Sequence, residues 1–297
     1  MRKRIPDDFK SGFVAIIGKP NVGKSTLLNR IMGEKLSIVS PRPQTTRHSI
    51  KGIYTSEKEQ IVFLDTPGFV EARYELHHNM INAIESSLID ADLIIFMTDN
   101  HFPTDYDERV VAIVMKRVKV PKIAVINKDD LFDDEYKEAT KNKLLEAGFD
   151  RVVTMSALND EELSDFISDV TAFLPYSPPY YDKDNLSDMP VKFFAQEIIR
   201  EQIFHMFREE IPYSSTVTIE SFKEFDNKVE ISANIWLERK SQKIILIGEK
   251  GSKIKEIRQA SEKGIYELTG KRVKLELWVK IKQDWRKKSN ALKEFGY

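Results

Sequence analysis

Cysteine is absent from the chain. That excludes disulfides, a thiolate-bound metal and a cysteine nucleophile, and it fits a reducing cytosol. Histidine is scarce, five among 297 residues, and shows no metal-ligand spacing. His77-His78 is expected as an exposed pair on a helix. No apolar run approaches ~18 residues, and residues 1 to 11 lack an apolar secretory core, so neither a membrane span nor a signal peptide is expected. Excess charge of one sign is missing too: the formal net charge is −1.

That small net charge hides an asymmetry. Lys240–Tyr297 carries 16 Lys+Arg against 7 Asp+Glu, whereas the remaining residues carry 30 against 40. A basic end on an acidic body points to a polyanionic partner held by that end; a solvated lysine-rich surface is the plain alternative. Apolar content of 41% and charged content of 31% describe a soluble globular protein, and 297 residues exceed the usual size of one core. Two domains are expected.

Short apolar runs alternate with amphipathic stretches up to about residue 173. Phe13–Ile17, Ile61–Leu64, Leu93–Met97 and Ile123–Ile126 are nearly all apolar, as expected of sheet strands covered on both faces. Tyr74–Ile89 and Glu135–Ala147 are long enough for crossover helices, so the first domain, residues 1–174, is expected as an α/β fold with a mainly parallel sheet. Leu174–Pro190, "LPYSPPYYDKDNLSDMP", has four prolines and no periodicity, which marks residues 175–190 as a linker. Residues 191–297 then read as an α+β module. A helix spans 191–207, a hairpin joins Thr216–Phe222 to Val229–Leu237 around Asp226-Asn227, a second helix runs over Ser252–Leu268, and a strand follows over Val273–Ile281.

The most specific motif is Gly18-Lys19-Pro20-Asn21-Val22-Gly23-Lys24-Ser25, which fits G-x-x-x-x-G-K-[ST] between an apolar strand and the helix Lys24–Met32. Together with Thr26 it is expected to wrap a nucleotide's phosphates. Backbone N–H groups turn inward, Lys24 reaches the β- and γ-phosphates, and the Ser25 hydroxyl ligates Mg²⁺. Asp65-Thr66-Pro67-Gly68 closes the strand Ile61–Leu64. Asp65 is placed to hold Mg²⁺ through water, and the Gly68 amide to sense the γ-phosphate. Asn127-Lys128-Asp129-Asp130 and Ser156-Ala157 follow further strands. The Asp130 carboxylate accepts from guanine N1–H and its exocyclic amine, a donor pair adenine lacks. Asn127 would contact the base and loop, Lys128 stack beneath the ring, and the Ala157 N–H meet the guanine oxygen. The expected ligand is GTP or GDP.

Phe69 occupies the position where Ras-type enzymes carry a water-orienting glutamine, so intrinsic hydrolysis is expected to be slow. Asn21 is within reach of the phosphates. Its amide oxygen either holds a monovalent cation, K⁺, in place of an arginine finger or caps the loop. The proline-interrupted stretch Ser37–His48 is expected to act as a switch, with Thr46 or else Thr45 completing the Mg²⁺ shell when a γ-phosphate is present.

A second glycine pair, Gly248-Glu249-Lys250-Gly251 followed by Ser252-Lys253, lies in the basic end. An isolated G-x-x-G is usually a turn. Beside a helix N-terminus it also lets a nucleic-acid phosphate approach the backbone closely.

In order, "GKPNVGKS", "QTTRH", "DTPG", "NKDD" and "MSA" resemble the translation-factor-related GTPases. With "PPYY", "FFAQEIIREQIF" and "ILIGEKGSKIKEI", essentially the whole chain resembles the Era-like GTPases. The resemblance implies a P-loop GTPase domain followed by a type II KH domain, with Gly248, Glu249, Lys250, Gly251, Ser252 and Lys253 gripping single-stranded RNA. It further implies binding near the 3′ end of 16S ribosomal RNA during assembly of the 30S subunit. The protein would be a cytoplasmic monomer with peripheral contact to the inner membrane. Lys240–Ile247 reads as a strand by propensity, whereas a KH domain places a short helix there. The competing reading is a membrane-associated signalling GTPase whose basic module, with Trp278, Trp285 and Lys287-Lys288, binds anionic lipid. A third is a KH fold used only for protein contacts.

Overall fold

The computed structural model of the chain describes residues 6–99, 102–117, 119–131 and 133–297. The first five residues of the polar start therefore lie outside the described residues. The chain divides into two compact units. One comprises Met1–Ser37, Thr46–Glu71 and Met80–Asp188; the other comprises Ile38–Thr45, Ala72–Asn79 and Met189–Tyr297.

The first unit runs β1 (Lys10–Gly18), α1 (Lys24–Met32), β2 (Ile50–Thr55), β3 (Glu59–Asp65), α2 (Glu75–Asp90, whose first turns cluster with the other unit), β4 (Leu93–Thr98), α3 (Asp105–Arg117), β5 (Lys122–Asn127), α4 (Asp134–Glu146), β6 (Arg151–Met155) and α5 (Asp160–Ala172). Its strands form one sheet in the order β2-β3-β1-β4-β5-β6, parallel except for β2, which pairs antiparallel with β3. β4 is buried at every position, which explains why its run is continuously apolar rather than alternating. The neighbours of β1 come from opposite directions of winding, so the sheet opens a crevice beyond the C-terminal end of β1, where such folds bind ligands.

The proline-rich segment has no regular element, as expected, but it is not loose. Ser11 Oγ donates to the carbonyls of Ser177 and Pro178 at 3.1 and 2.7 Å. The buried Gln60 side chain accepts from the Tyr180 and Tyr181 amides at 2.7 and 2.9 Å and donates to the Tyr181 carbonyl at 2.9 Å. On β2, Ile53 N–H donates to the Leu186 carbonyl at 2.9 Å. The segment is thus a strap along β1, β3 and β2.

The second unit contains α6 (Val191–Met206), α7 (Glu210–Ser214), β7 (Thr216–Glu224), β8 (Lys228–Leu237), α8 (Lys240–Ile247), α9 (Ser252–Thr269), β9 (Arg272–Ile281) and α10 (Ser289–Glu294). β7 and β8 form the expected antiparallel hairpin, and β9 pairs parallel to β8 at the open edge. Alternate residues of β8 (Val229, Ile231, Ala233, Ile235, Leu237) pack with Leu275 against Ala195, Ile199 and Ile203 of α6 and Ile257 and Ile265 of α9. Apart from the short helices α7 and α10, this is an α-β-β-α-α-β order over one core, the arrangement of a type II KH domain.

Two expectations from the residues are corrected. Lys240–Ile247 is a helix, not a strand. Its isoleucines favour a strand, but Gln242 Oε1 accepts from the Glu238 and Arg239 amides, both at 3.1 Å, and fixes a helical first turn. Only Gln242 and Leu246, four apart, turn inward. His77 is buried, at 3% exposure, and not one of an exposed pair. Its Nδ1 accepts from the Arg73 amide at 3.3 Å. The two tryptophans also part company. Trp285 is fully buried and donates from Nε1 to the Ser214 carbonyl at 2.9 Å, whereas Trp278 is 58% exposed.

Candidate functional site

Five loops meet the C-terminal edge of the parallel sheet. The first runs from Gly18 to Lys24, the first residue of α1. Gly23 caps α1 at φ +104°, and a Cβ there would stand 2.2 Å from Asn127 Nδ2, so only glycine fits. No side chain caps this helix, which leaves its first backbone N–H groups and the positive end of its dipole for an anion. Val22 is buried, Asn21 is exposed at φ +65°, and Lys19 and Pro20 are partly exposed, as are Ser25 and Thr26 on the first turn.

Lys24 turns its ammonium back over the loop and donates to the Gly18 and Lys19 carbonyls at 3.1 and 2.9 Å. Burial pulls its pKa down to about 8, partly opposed by the nearby Asp65 carboxylate. Asp65, at the end of β3, is fully buried. Burial raises its pKa, opposed by Lys24 and by a hydrogen bond from Ser25 Oγ at 2.8 Å. Ser25 Oγ is also 3.0 Å from Thr46 Oγ1. The structure therefore brings Ser25, Thr46 and Asp65 together, and of the two threonines it is Thr46 that reaches the cluster.

Asp65 Oδ1 is buried without a hydrogen-bonding partner of normal geometry. An unmatched carboxylate oxygen beside two hydroxyls is an oxygen-rich donor set that suits a hard divalent cation such as Mg²⁺. Thr66 and Pro67 are buried, with Thr66 Oγ1 donating to the Ile16 carbonyl at 2.7 Å. Phe69 N–H donates to the Gly18 carbonyl at 3.4 Å, which draws Gly68 against Pro20. The Phe69 ring packs against the apolar core of the unit.

Asn127 ties three loops together. Its Nδ2 donates to the Val22 carbonyl at 2.7 Å and its Oδ1 accepts from the Ala157 amide at 2.8 Å. The Ser156 amide donates to Glu162 at 2.8 Å. Lys128 stands at φ +65° with its ammonium 2.9 Å from Asp99 Oδ2, and Asp130 is exposed. Asp99 is a residue the motif reading misses. A carboxylate directly after the apolar strand β4 was the available signal, although a lone aspartate after a strand is common.

In the second unit Gly248 has φ +73° and Gly251 φ +81°, with Lys250 between them at φ +49°. A Cβ on Gly248 would come within 2.7 Å of Lys253 Cγ and 2.9 Å of Lys253 N, whereas one on Gly251 would make only an ordinary contact with Ile254 Cγ2 at 4.0 Å. Glu249, Lys250, Ser252 and Lys253 are exposed, and Lys253 pairs with Glu256 at 3.0 Å. Beyond the turn, Ile254, Lys255 and Arg258 of α9 face Leu275, Leu277 and Trp278 of β9 across an open groove of about 430 Å³. The sequence reading overlooked this groove, because it exists only once α9 lies beside β9. The i, i+4 pair Ile254 and Arg258 was the only local sign. Ile244 and Ile245 of α8 are exposed at 72% and 51%.

A G-x-x-x-x-G-K-S loop after β1, an Asn-Lys-Asp-Asp loop after β5 and a separate α+β module with a glycine turn mark a GTPase carrying a KH domain. Residues 13–128 match the family described as 50S ribosome-binding GTPase, and residues 210–286 match the KH domain family. The chain belongs to the Era family of GTPases. It is 44% identical over 291 residues to GTPase Era of Halothermothrix orenii, covering 97% of this chain and 99% of that one. To GTPase Era of Carboxydothermus hydrogenoformans it is 41% identical over 293 residues, covering 97% and 98%. The fold is similar, at a TM-score of 0.93 and 37% identity over 97% of this chain and 99% of the other, to a crystal structure of Era in complex with MgGDPNP and nucleotides 1506–1542 of 16S ribosomal RNA. A Tyr-to-Ala variant of Aquifex aeolicus Era bound to GDP·AlF4⁻ is equally similar, at TM-score 0.93 and 36% identity over 97% and 99%.

Proposed function

We propose that the chain is a GTP-hydrolysing, ribosomal-RNA-binding protein that acts in assembly of the 30S subunit, with its nucleotide state coupled to RNA binding. The observation that carries this reading is the presence, in one chain, of two glycine turns at helix N-termini with different surroundings. One is roofed by Asn127 and backed by the buried Lys24; the other opens onto an exposed apolar groove edged with Lys255 and Arg258.

In the nucleotide site, the loop Gly18–Thr26 holds the phosphates, its backbone N–H groups other than at Pro20 facing the β-phosphate, and Lys24 exchanges its loop carbonyls for β- and γ-phosphate oxygens. Asn127, Asp130 and the Ala157 amide read the guanine, with the Lys128 stem beneath it. Ser25, Thr46 and Asp65 would hold Mg²⁺, which when bound neutralises charge developing on the phosphates. The Gly68 amide donates to the γ-phosphate. Phe69 is committed to the core and offers the attacking water no hydrogen bond, so the intrinsic rate is slow. Asn21 supplies part of the missing charge by holding K⁺ near the phosphates. Faster hydrolysis in potassium than in sodium, lost in Asn21→Ala, supports that role, and equal rates remove it.

In the KH unit, Gly248-Glu249-Lys250-Gly251 admits an RNA phosphate to the N-terminus of α9, assisted by Ser252 and Lys253. Bases lie in the groove against Ile254 and Trp278. The partner is the 3′ region of 16S ribosomal RNA. Peripheral membrane contact is the finer part of this proposal; among the described residues no helix is long and apolar enough to cross a membrane.

Replacing Glu249-Lys250 by Asp-Asp tests the reading. The turn keeps its glycines while its charge falls by two, so RNA binding is expected to vanish with GTP affinity unchanged. Full RNA binding by the folded variant overturns the assignment, and retained binding to anionic vesicles with no RNA affinity in either protein selects the lipid reading.

A further inference from the structure

Asp99 follows β4 directly, and its side chain is only 6% exposed. One carboxylate oxygen, Oδ1, is 3.0 Å from Lys19 Nζ, and the other, Oδ2, is 2.9 Å from Lys128 Nζ. Lys19 belongs to the phosphate loop and Lys128 to the base-reading loop. A single carboxylate therefore takes one lysine on each oxygen and bridges the two loops that meet opposite ends of a nucleotide.

We infer that Asp99 is a positioning residue for guanine-nucleotide binding, holding Lys128 flat for the base while fixing Lys19 on the phosphate loop; this rests on the GTPase reading above. Lys128 has a flexible four-carbon stem and a left-handed backbone that lysine rarely adopts. An unanchored ammonium would sample many rotamers and would repel Lys19. Anchored, it presents its methylenes as a ready surface, and the entropy of ordering it is lost before the ligand arrives. Burial pushes the Asp99 carboxyl up, but the Lys128 and Lys19 ammonium groups outweigh it and hold the pKa down to about 2, so the bridge is ionised at any working pH. Asp107 also meets Lys19, at 3.3 Å, but it caps α3 by accepting from Thr104 Oγ1 at 2.7 Å and from the Thr104 amide at 3.1 Å. Its loss would report helix stability, so Asp99 is the cleaner probe.

The test is a double-mutant cycle in the full chain, read as affinity for fluorescent GDP and as steady-state GTP hydrolysis. Asp99→Ala is expected to weaken GDP binding about tenfold and to raise KM for GTP more than it lowers kcat. In a Lys128→Met background the same change is expected to cost at least threefold less, because the lysine it anchors is gone. Asp99→Asn, nearly the same shape with one accepting oxygen, is expected to fall between and guards against a misfolded alanine variant. GDP affinity within twofold of the native chain in both variants, or an equal loss in both backgrounds, overturns the inference. A native chain that binds no guanine nucleotide overturns the GTPase reading beneath it, whatever the variants do.

Discussion

The glycine turn before α1 and the glycine turn before α9 both sit at the N-terminus of a helix, yet their neighbourhoods are opposites. At the first, a Cβ on Gly23 would strike Asn127, the Lys24 ammonium already has two loop carbonyls, and Asp65 is buried behind it. At the second, a Cβ on Gly251 would clash with nothing, and Glu249 and Lys250 are exposed. A buried, pre-wired turn suits one small ligand of fixed shape, since low dielectric strengthens every contact and penalises a wrong partner. An open turn suits a polymer, which must enter from the side and is held by repeated phosphate and stacking contacts.

The sharpest break in this comparison is Lys24→Ala. Two charge-assisted contacts to phosphate at about 1.5–3 kcal/mol each imply a loss of roughly a hundredfold or more in Mg-GTP affinity. RNA affinity measured without nucleotide should stay unchanged in filter binding, whereas any gain that Mg-GTP gives the native chain should be lost. Next, Trp278→Ala removes an exposed ring from the groove and is expected to weaken RNA about tenfold, in line with about 1–3 kcal/mol per stacked base, while leaving GTP binding untouched. The smallest effect sharpens the contrast within the second turn. Gly248→Ala carries both positive φ and a clash with Lys253, whereas Gly251→Ala carries positive φ alone. Thermal unfolding should show Gly248→Ala as the more destabilising, with Gly251→Ala costing about 1–2 kcal/mol.

The parts of the molecule that could be read beforehand are those encoded locally. G-x-x-x-x-G-K-[ST], Asp65–Gly68 and Asn127–Asp130 are short, ordered along the chain and placed at strand ends, so both their context and the α/β class were legible. What escaped depends on contacts between distant segments. The groove needs α9 beside β9, and the Asp99 bridge needs three loops assembled. Lys240–Ile247 misled because propensity is a weak prior that one cap, the Gln242 amide, reverses. His77 misled because two adjacent histidines were read as one exposed pair, whereas neighbours on a helix point about 100° apart, and His77 is buried while His78 is exposed.

The strap from 175 to 188 has a practical consequence for cutting the chain. β2 is the outer strand of the first sheet, and the Leu186 carbonyl occupies the outward N–H of Ile53. Gln60, wholly buried, owes three of its hydrogen bonds to Tyr180 and Tyr181. A fragment ending at residue 174 would remove those partners, uncover the apolar patch of Ile53, Val62 and Leu64 that Tyr181 packs on, and leave a sheet edge free to recruit other chains. One ending at residue 188 keeps both guarded. The shorter fragment is expected to melt earlier and aggregate at concentrations where the longer one stays monodisperse, which light scattering during a thermal ramp would reveal.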